Sequence, residues 1–480
     1  MPPATPGPLP TPTPIPMPPL PASATRTLPH GISLLGGWLP LTVGIVTLVI
    51  LVVVTARRSR RWWLLWVPVC AALGLGTALA ARTVMDSEGL ASDPAPLELW
   101  IGVAIAASTI GIAVLGWRSS PHWRRALSVL LIPLALTSAM VELNRWVGYY
   151  PTVQSAWGAL TAGPLPDQVD ADSLPGLRNT VPANGKLVQV TTGDTASGFK
   201  HRDEYVYLPP AWFAGASPPA LPVVMMIAGE FNTPADWMRS GSVMPVIDGY
   251  AHDHGGVAPI FVFVDSGGQF NNDTECVDGP RGNSADHLTE DVRPYVISQF
   301  GASADPANWG VVGWSMGGTC AVDLTVMHPD LFTAFEDIAG DHGPTAGTKD
   351  QTVQRLYGGD LSKWAAFDPA TVMRAHGGYT GVSGWFEDTV KPAVSQPNPY
   401  GNIHRPQSNS PPGFGGNDAV HDDDETGAAE DLCAVATSVG ITCAVHTVAS
   451  FHTWQFAARA FADALPWLAG QIHTPVSAAR

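Results

Sequence analysis

Four apolar runs with no charged residue, at 31–56, 62–81, 99–117 and 126–141, dominate the first 147 residues of this 480-residue chain. The first three approach or exceed the roughly 20 residues that cross a bilayer as a helix. The fourth is short and is followed by Glu142 and Arg145. The arginines between the runs follow the pattern of membrane loops. Arg57, Arg58, Arg60 and Arg61 separate the first two runs, and Arg118, Arg124 and Arg125 separate the last two. The loop 85–98 carries acids and neither Arg nor Lys. Basic loops stay on the cytoplasmic side, so four spans leave both termini, and everything beyond residue 147, on the outer face. If the fourth run does not cross, that remainder lies inside instead. The runs hold no paired intramembrane charges of the kind a transport path uses, so they read as an anchor.

Residues 1–30 form a Pro-rich lead with almost no charge, which suits a disordered segment. Segment 148–185 reads as a linker, 186–472 as the folded catalytic unit and 473–480 as a tail. Net charge is −16 and the arginines concentrate in the membrane loops, so the folded unit is acidic and nucleic acid is excluded as a partner. Cys70 lies in the second run, and Cys276, Cys320, Cys433 and Cys443 lie in the folded unit. An even number in an exported unit fits two disulfides with three possible pairings. Cys433–Cys443 with Cys276–Cys320 is the expected set, since the first would tie a helix to the strand that follows it.

Beyond residue 186, apolar β-branched runs alternate with helical patterns. Strands are predicted at 187–192, 204–208, 222–228, 259–264, 309–313, 333–339, 380–386 and 441–449, and helices at 286–300, 317–327 and 430–439. Such alternation specifies a mostly parallel sheet with helices on both faces, with the first two strands as an antiparallel hairpin at its edge. Within it, Gly313-Trp314-Ser315-Met316-Gly317-Gly318 joins a buried strand to a helix. The small residues suit a strained turn that presents Ser315 as a nucleophile, the elbow of an α/β-hydrolase fold.

A nucleophilic serine needs a base, and His452 stands in the loop after the last predicted strand, where open α/β sheets assemble their sites. His446, inside that strand, and His473, near the chain end, rank below it. The acid should follow the seventh strand, which ends in Glu387-Asp388. Successive side chains point to opposite faces, so only one of the two can face the site. Asp388 is preferred, Glu387 is next, and Asp341 is an alternative placement after the sixth strand. The oxyanion hole should use the backbone N–H of Met316 and that of Glu230 or Phe231 in the loop after the third strand. The run Asp422-Asp423-Asp424-Glu425, beside His421, reads as a solvated loop, and neither cofactor nor metal is expected. Trp314, Trp385 and Trp454 near the site either pack or stack on sugar rings.

These motifs resemble the putative esterase family that includes the antigen 85-type mycolyltransferases, over roughly 186–471. The resemblance rests on Ser315-Met316-Gly317-Gly318, Ser266-Gly267-Gly268-Gln269, Leu356-Tyr357-Gly358-Gly359 before Phe367-Asp368-Pro369, and His452-Thr453-Trp454-Gln455-Phe456. It implies an acyl-enzyme mechanism with Ser315 and His452 as nucleophile and base, and it supports Met316 with Glu230 or Phe231 as oxyanion donors. It also implies acyl-ester substrates of a lipid or glycolipid kind and a sugar hydroxyl as possible acceptor. A Pro-, Asn- and Gly-rich insertion at 389–426 departs from the family where the acid should fall. The second Gly of Ser-Met-Gly-Gly is commoner in general esterases than in mycolyltransferases. The expectation is therefore a membrane-anchored serine esterase or acyltransferase, with mycolyl transfer as one alternative and a non-catalytic binding or scaffold module as another.

Overall fold

A computed structural model of the chain describes residues 31–56, 59–88, 95–161, 163–269, 272–390 and 425–475. The Pro-rich lead, Arg57, Arg58, His421 and Asp422 to Asp424 lie outside the described residues. Four helices come first: α1 (Trp38–Thr55), α2 (Val67–Glu88, entered through a π turn at Trp62–Trp66), α3 (Leu97–Gly116) and α4 (His122–Val147). Each of the four segments is long and apolar enough to cross a membrane. The fourth run was expected to close at Glu142 and Arg145, yet α4 continues through them. The two side chains pair one turn apart at 2.8 Å and offset each other's charge within the helix. Small residues let α2 and α3 approach closely. Gly111 lies against Cys70, where an added Cβ would stand 3.1 Å from Sγ, and Ser108 Oγ donates to the Cys70 carbonyl at 3.1 Å.

Helix α4 stops at Gly148, whose φ of 66° is left-handed and whose N–H donates to the Asn144 carbonyl at 2.8 Å. The linker segment 148–185 carries regular structure of its own. Thr152 and Ser155 form a reciprocal capping box that starts α5 (Val153–Leu160). Further on, β1 (Gln168–Val169) adds a short parallel strand beside β2 (Lys186–Val190).

The sheet has nine strands in the order β1-β2-β3-β5-β4-β8-β9-β10-β11. The additional members are β3 (Glu204–Leu208), β4 (Val223–Ile227), β5 (Ile260–Val264), β8 (Trp309–Trp314), β9 (Ala334–Ile338), β10 (Ser383–Val390) and β11 (Thr442–Ala449). A separate two-stranded ribbon is made by β6 (Asp278–Gly279) and β7 (Gly282–Asn283). Only β3 runs antiparallel to its neighbours in the main sheet. This is the expected α/β-hydrolase architecture, with the hairpin β2–β3 one strand in from the edge because β1 lies outside it.

Helices cover both faces. Between β4 and β5 lie α6 (Asp236–Arg239) and α7 (Met244–Asp253). Before β8 come α8 (Ser284–Asp286), a π turn at His287–Val292 and α9 (Arg293–Phe300). They are followed by α10 (Met316–Met327), α11 (Lys349–Tyr357), α12 (Leu361–Phe367), α13 (Pro369–His376), α14 (Glu425–Ser438) and α15 (Trp454–Gln471). One core joins the sheet to α9, α10, α13 and α14 through Val296, Phe300, Val322, Met373 and Leu432. The other joins it to α7 and α15 through Ile247, Phe461, Leu465 and Leu468. The central strands β4, β5 and β8 are buried along their whole length, as parallel strands covered on both faces must be. The disulfides are Cys276–Cys320, tying the loop after β5 to α10, and Cys433–Cys443, tying α14 to β11.

Candidate active site

Ser315 occupies the turn from β8 into α10 with φ 58° and ψ −126°, a conformation that L-residues adopt only under strain. Its N–H donates to the Ile338 carbonyl at 2.8 Å and its own carbonyl accepts from Gly318 N–H at 2.7 Å, so both sides of the turn are fixed. Glycine is required around it. A Cβ on Gly313 would fall into the Gly317 carbonyl, and one on Gly229 would stand 3.1 Å from Ser315 Cβ. The loop after β4 therefore passes directly over the serine.

That loop is held from several directions. Phe231 has φ 65°, and the Asn232 side chain donates to the Gly229 carbonyl at 3.2 Å and to that of Glu230 at 2.6 Å. Arg202 grips Asp265 with Nε and a terminal nitrogen and donates to the Asn232 carbonyl at 2.8 Å. Among the described residues, the N–H groups of Met316 and Glu230 donate to no other group. Both residues line a small pocket that Asn232, Asp265, Ser266, Gln269 and Asn272 make polar.

His452 lies in the loop from β11 into α15. Its ring stacks on Trp314, the residue before the serine, with centroids 5.2 Å apart. Two residues on, Trp454 is fully buried, packs on Trp314 at 4.5 Å and donates Nε1–H to Asn232 Oδ1 at 3.0 Å. One side chain thus links the loop carrying His452 to the loop over Ser315. His446 instead stacks on Trp385 at 3.8 Å, inside the layer facing α15, and burial lowers its affinity for a proton. Trp314, Trp385 and Trp454 are all buried, so they pack.

The paired acids separate as strand alternation requires. Glu387 accepts from Trp385 Nε1 at 3.1 Å on the α15 side, and burial pushes its carboxyl up to about 7. Asp388 is buried on β10, opposite Thr447 of β11. Asp341 follows β9, and its N–H donates to Thr319 Oγ1 at 2.9 Å.

In and behind the loop after β4 several carboxyls share a dry environment. Burial raises Glu230 to about 8, with Asp273 adding to the shift and Arg281 opposing it. Burial raises Asp273 to about 6, and Glu275 and Asp323 also lie well above the usual carboxylate range. Farther along the sheet, His201, Glu204 and His287 come close enough to share a metal ion. Most of their atoms are already engaged, and His287 Nδ1 stands 3.6 Å from Asp291. Glu204 accepts from Thr192 Oγ1 at 2.5 Å and Asp265 N–H at 3.0 Å, His287 Nε2 is 3.2 Å from Glu204, and the His201 nitrogens face the Arg202 and Thr192 carbonyls. A hydrogen-bonded buried network of this kind fits structural duty better than ligation.

Sequence reasoning did not single out Arg202, Asp265, Asp236 or Tyr149, all of which brace the site. Only Asp236 left a signal, standing three residues after Thr233 as a turn-capping acid does.

A family model described as "Putative esterase" matches residues 200–468. An uncharacterized protein of Corynebacterium glutamicum is 32% identical over 309 residues, covering 61% of this chain and 70% of that one. Among solved structures, an S-formylglutathione hydrolase from Agrobacterium tumefaciens aligns with a TM-score of 0.44 and 18% identity, covering 61% of this chain and 97% of that one. MPT51 of Mycobacterium tuberculosis aligns with a TM-score of 0.39 and 16% identity, covering 60% and 99%.

Proposed function

The chain belongs to the putative esterase family, and we propose that it is a membrane-tethered serine esterase or acyltransferase working through an acyl-enzyme. The observation that carries this reading is Ser315 in its strained turn, with Gly229 closing over it and His452 stacked on the adjoining Trp314. Ser315 Oγ attacks the ester carbonyl while His452 removes its proton. The N–H groups of Met316 and of Glu230 or Phe231 receive the oxyanion, each such donor being worth about 3 kcal/mol in the transition state. His452 then returns the proton to the departing alcohol, and water or a second alcohol releases the acyl group. Asp388 is the acid we assign to orient the imidazole, because Glu387 is held on the opposite face by Trp385.

The substrate we assign is an acyl ester of a membrane lipid or glycolipid. The end of α4 touches Thr453 and Gln455, next to His452. A helix that crosses a bilayer ends at its surface, so these loops lie at the depth where a lipid carries its esters. The alternation of basic and acidic loops and the two disulfides support an outer-face location. A second reading, transfer of the acyl group (a mycoloyl group) to a sugar hydroxyl such as one of trehalose, uses the same residues and rests on the family resemblance.

The test is labelling of intact cells with a membrane-impermeant fluorophosphonate, comparing wild type with Ser315→Ala. Labelling lost in the variant supports both the nucleophile and the outward face. Labelling that appears only after lysis keeps the enzyme and reverses the topology. A folded protein that labels under neither condition is a binding module.

A further inference from the structure

The residues that cap α4, at 148–150, reach both loops that form the candidate site. Asn144 Oδ1 accepts from Tyr150 N–H at 2.7 Å and Asn144 Nδ2 donates to the Tyr150 carbonyl at 2.9 Å. The backbone just beyond the helix is thereby locked to the helix itself. From this fixed position the Tyr149 hydroxyl donates to Asp236 Oδ2 at 2.7 Å. The same carboxylate oxygen accepts from Thr233 N–H at 2.7 Å and Thr233 Oγ1 at 2.8 Å. Thr233 follows Asn232, whose side chain ties the Gly229 and Glu230 carbonyls to Trp454. On the other side, Gln455 Nε2 donates to the Gly148 carbonyl at 2.8 Å, three residues from His452.

We propose that the end of α4 is a positioning element of the active site: Tyr149, through Asp236, holds the oxyanion loop, and Gly148, through Gln455, holds the loop of the base. Neither contact touches the reacting atoms. Both fix the distance between the donors over Ser315 and the imidazole beside it, and reactions of this kind are sensitive to displacements of about 1 Å. The four-helix segment is in this view part of the catalytic scaffold as well as its tether. The inference rests on the esterase reading above.

The experiment uses the full chain reconstituted in phospholipid vesicles, with turnover of a soluble p-nitrophenyl ester normalised to fluorophosphonate-titrated sites. Tyr149→Phe removes one hydroxyl and keeps the ring. Asp236→Ala removes the shared acceptor, Asp236→Asn restores an oxygen that can accept from Tyr149 and Thr233, and Gln455→Leu tests the second contact. The expected result is a fall in kcat of roughly tenfold or more for Tyr149→Phe and Asp236→Ala, with KM within about twofold. Asp236→Asn is expected to recover most of kcat, and Gln455→Leu to show a smaller fall of the same kind. Per-site kcat within about twofold of wild type for both Tyr149→Phe and Asp236→Ala overturns the proposal. So does Asp236→Asn as impaired as Asp236→Ala. A wild-type protein without Ser315-dependent turnover instead overturns the esterase reading beneath it.

Discussion

The helical segment and the esterase domain solve opposite problems with the same apolar alphabet. In the helices the large side chains point outward: Leu64 is 79% exposed and Val114 and Met140 are each 68% exposed. Their mutual contacts are made by small residues such as Gly111, Cys70 and Ser108. In the domain the large side chains point inward, with Phe335, Phe461, Trp237 and Trp309 fully buried. An outward apolar face is stable only where the surroundings are themselves apolar. The difference teaches where tolerance lies. The helices need a hydrophobic exterior of no particular shape, whereas the domain needs specific shape at a few positions around Ser315.

The comparison can be broken most severely at the serine. Ser315→Ala is expected to lower kcat by about 10⁴-fold or more, measured on a p-nitrophenyl ester, while the membrane-bound fraction stays unchanged. Next in size is the acid. Asp388→Asn should lower kcat about 10²- to 10⁴-fold, because the imidazole loses its orienting partner. Glu387→Gln should leave kcat within a few fold. Silence in both variants would move the acid to Asp341 after β9.

Glycines sharpen the contrast further. Gly229→Ala places a methyl against Ser315 and should cost roughly 10²-fold in kcat. Gly76→Ala, where a Cβ would meet nothing in α2, should leave activity and thermal stability unchanged. Equal responses at the two sites would remove the distinction between shape-specified and shape-tolerant regions.

The smallest effect is electrostatic. Burial raises the Glu387 carboxyl to about 7 in the folded chain, from about 4.5 unfolded. Its folded value is the higher one, so the folded state binds the proton more tightly between those two values. The stabilisation is complete below pH 4.5 and is lost as the pH rises through about 7. Glu387→Gln should therefore raise the melting temperature at pH 8 and leave it unchanged near pH 4, as differential scanning fluorimetry would record.

The sheet was legible because its central strands β4, β5 and β8 are short and apolar throughout, and β3 was placed to the residue at Glu204–Leu208. The strained turn at Ser315 was legible because such a strand-to-helix turn needs glycines beside it, and the loop position of His452 because it directly follows the last strand. Helix α15 was not, since its buried stripe is largely alanine, as at Ala457, Ala460 and Ala464, and Pro466 interrupts it. The bracing residues other than Asp236 were invisible for another reason. Arg202–Asp265 and Tyr149–Asp236 join positions 63 and 87 residues apart, and no local pattern records a contact that only the tertiary fold creates. The acid stayed ambiguous because two carboxylates occupy adjacent positions and only the course of β10 separates their faces.

The Trp314 ring beneath His452 has a consequence for the chemistry. In the mechanism proposed above, the imidazole that accepts the serine proton becomes a cation, and that cation forms over the electron-rich face of an indole 5.2 Å away. Such an arrangement is worth about 0.5–2 kcal/mol, and it favours the charged ring of the transition state over the neutral one of the resting enzyme. The variable residue of the Gly-x-Ser-x-Gly motif thus supplies in this chain a quadrupole that stabilises the charge its neighbour creates.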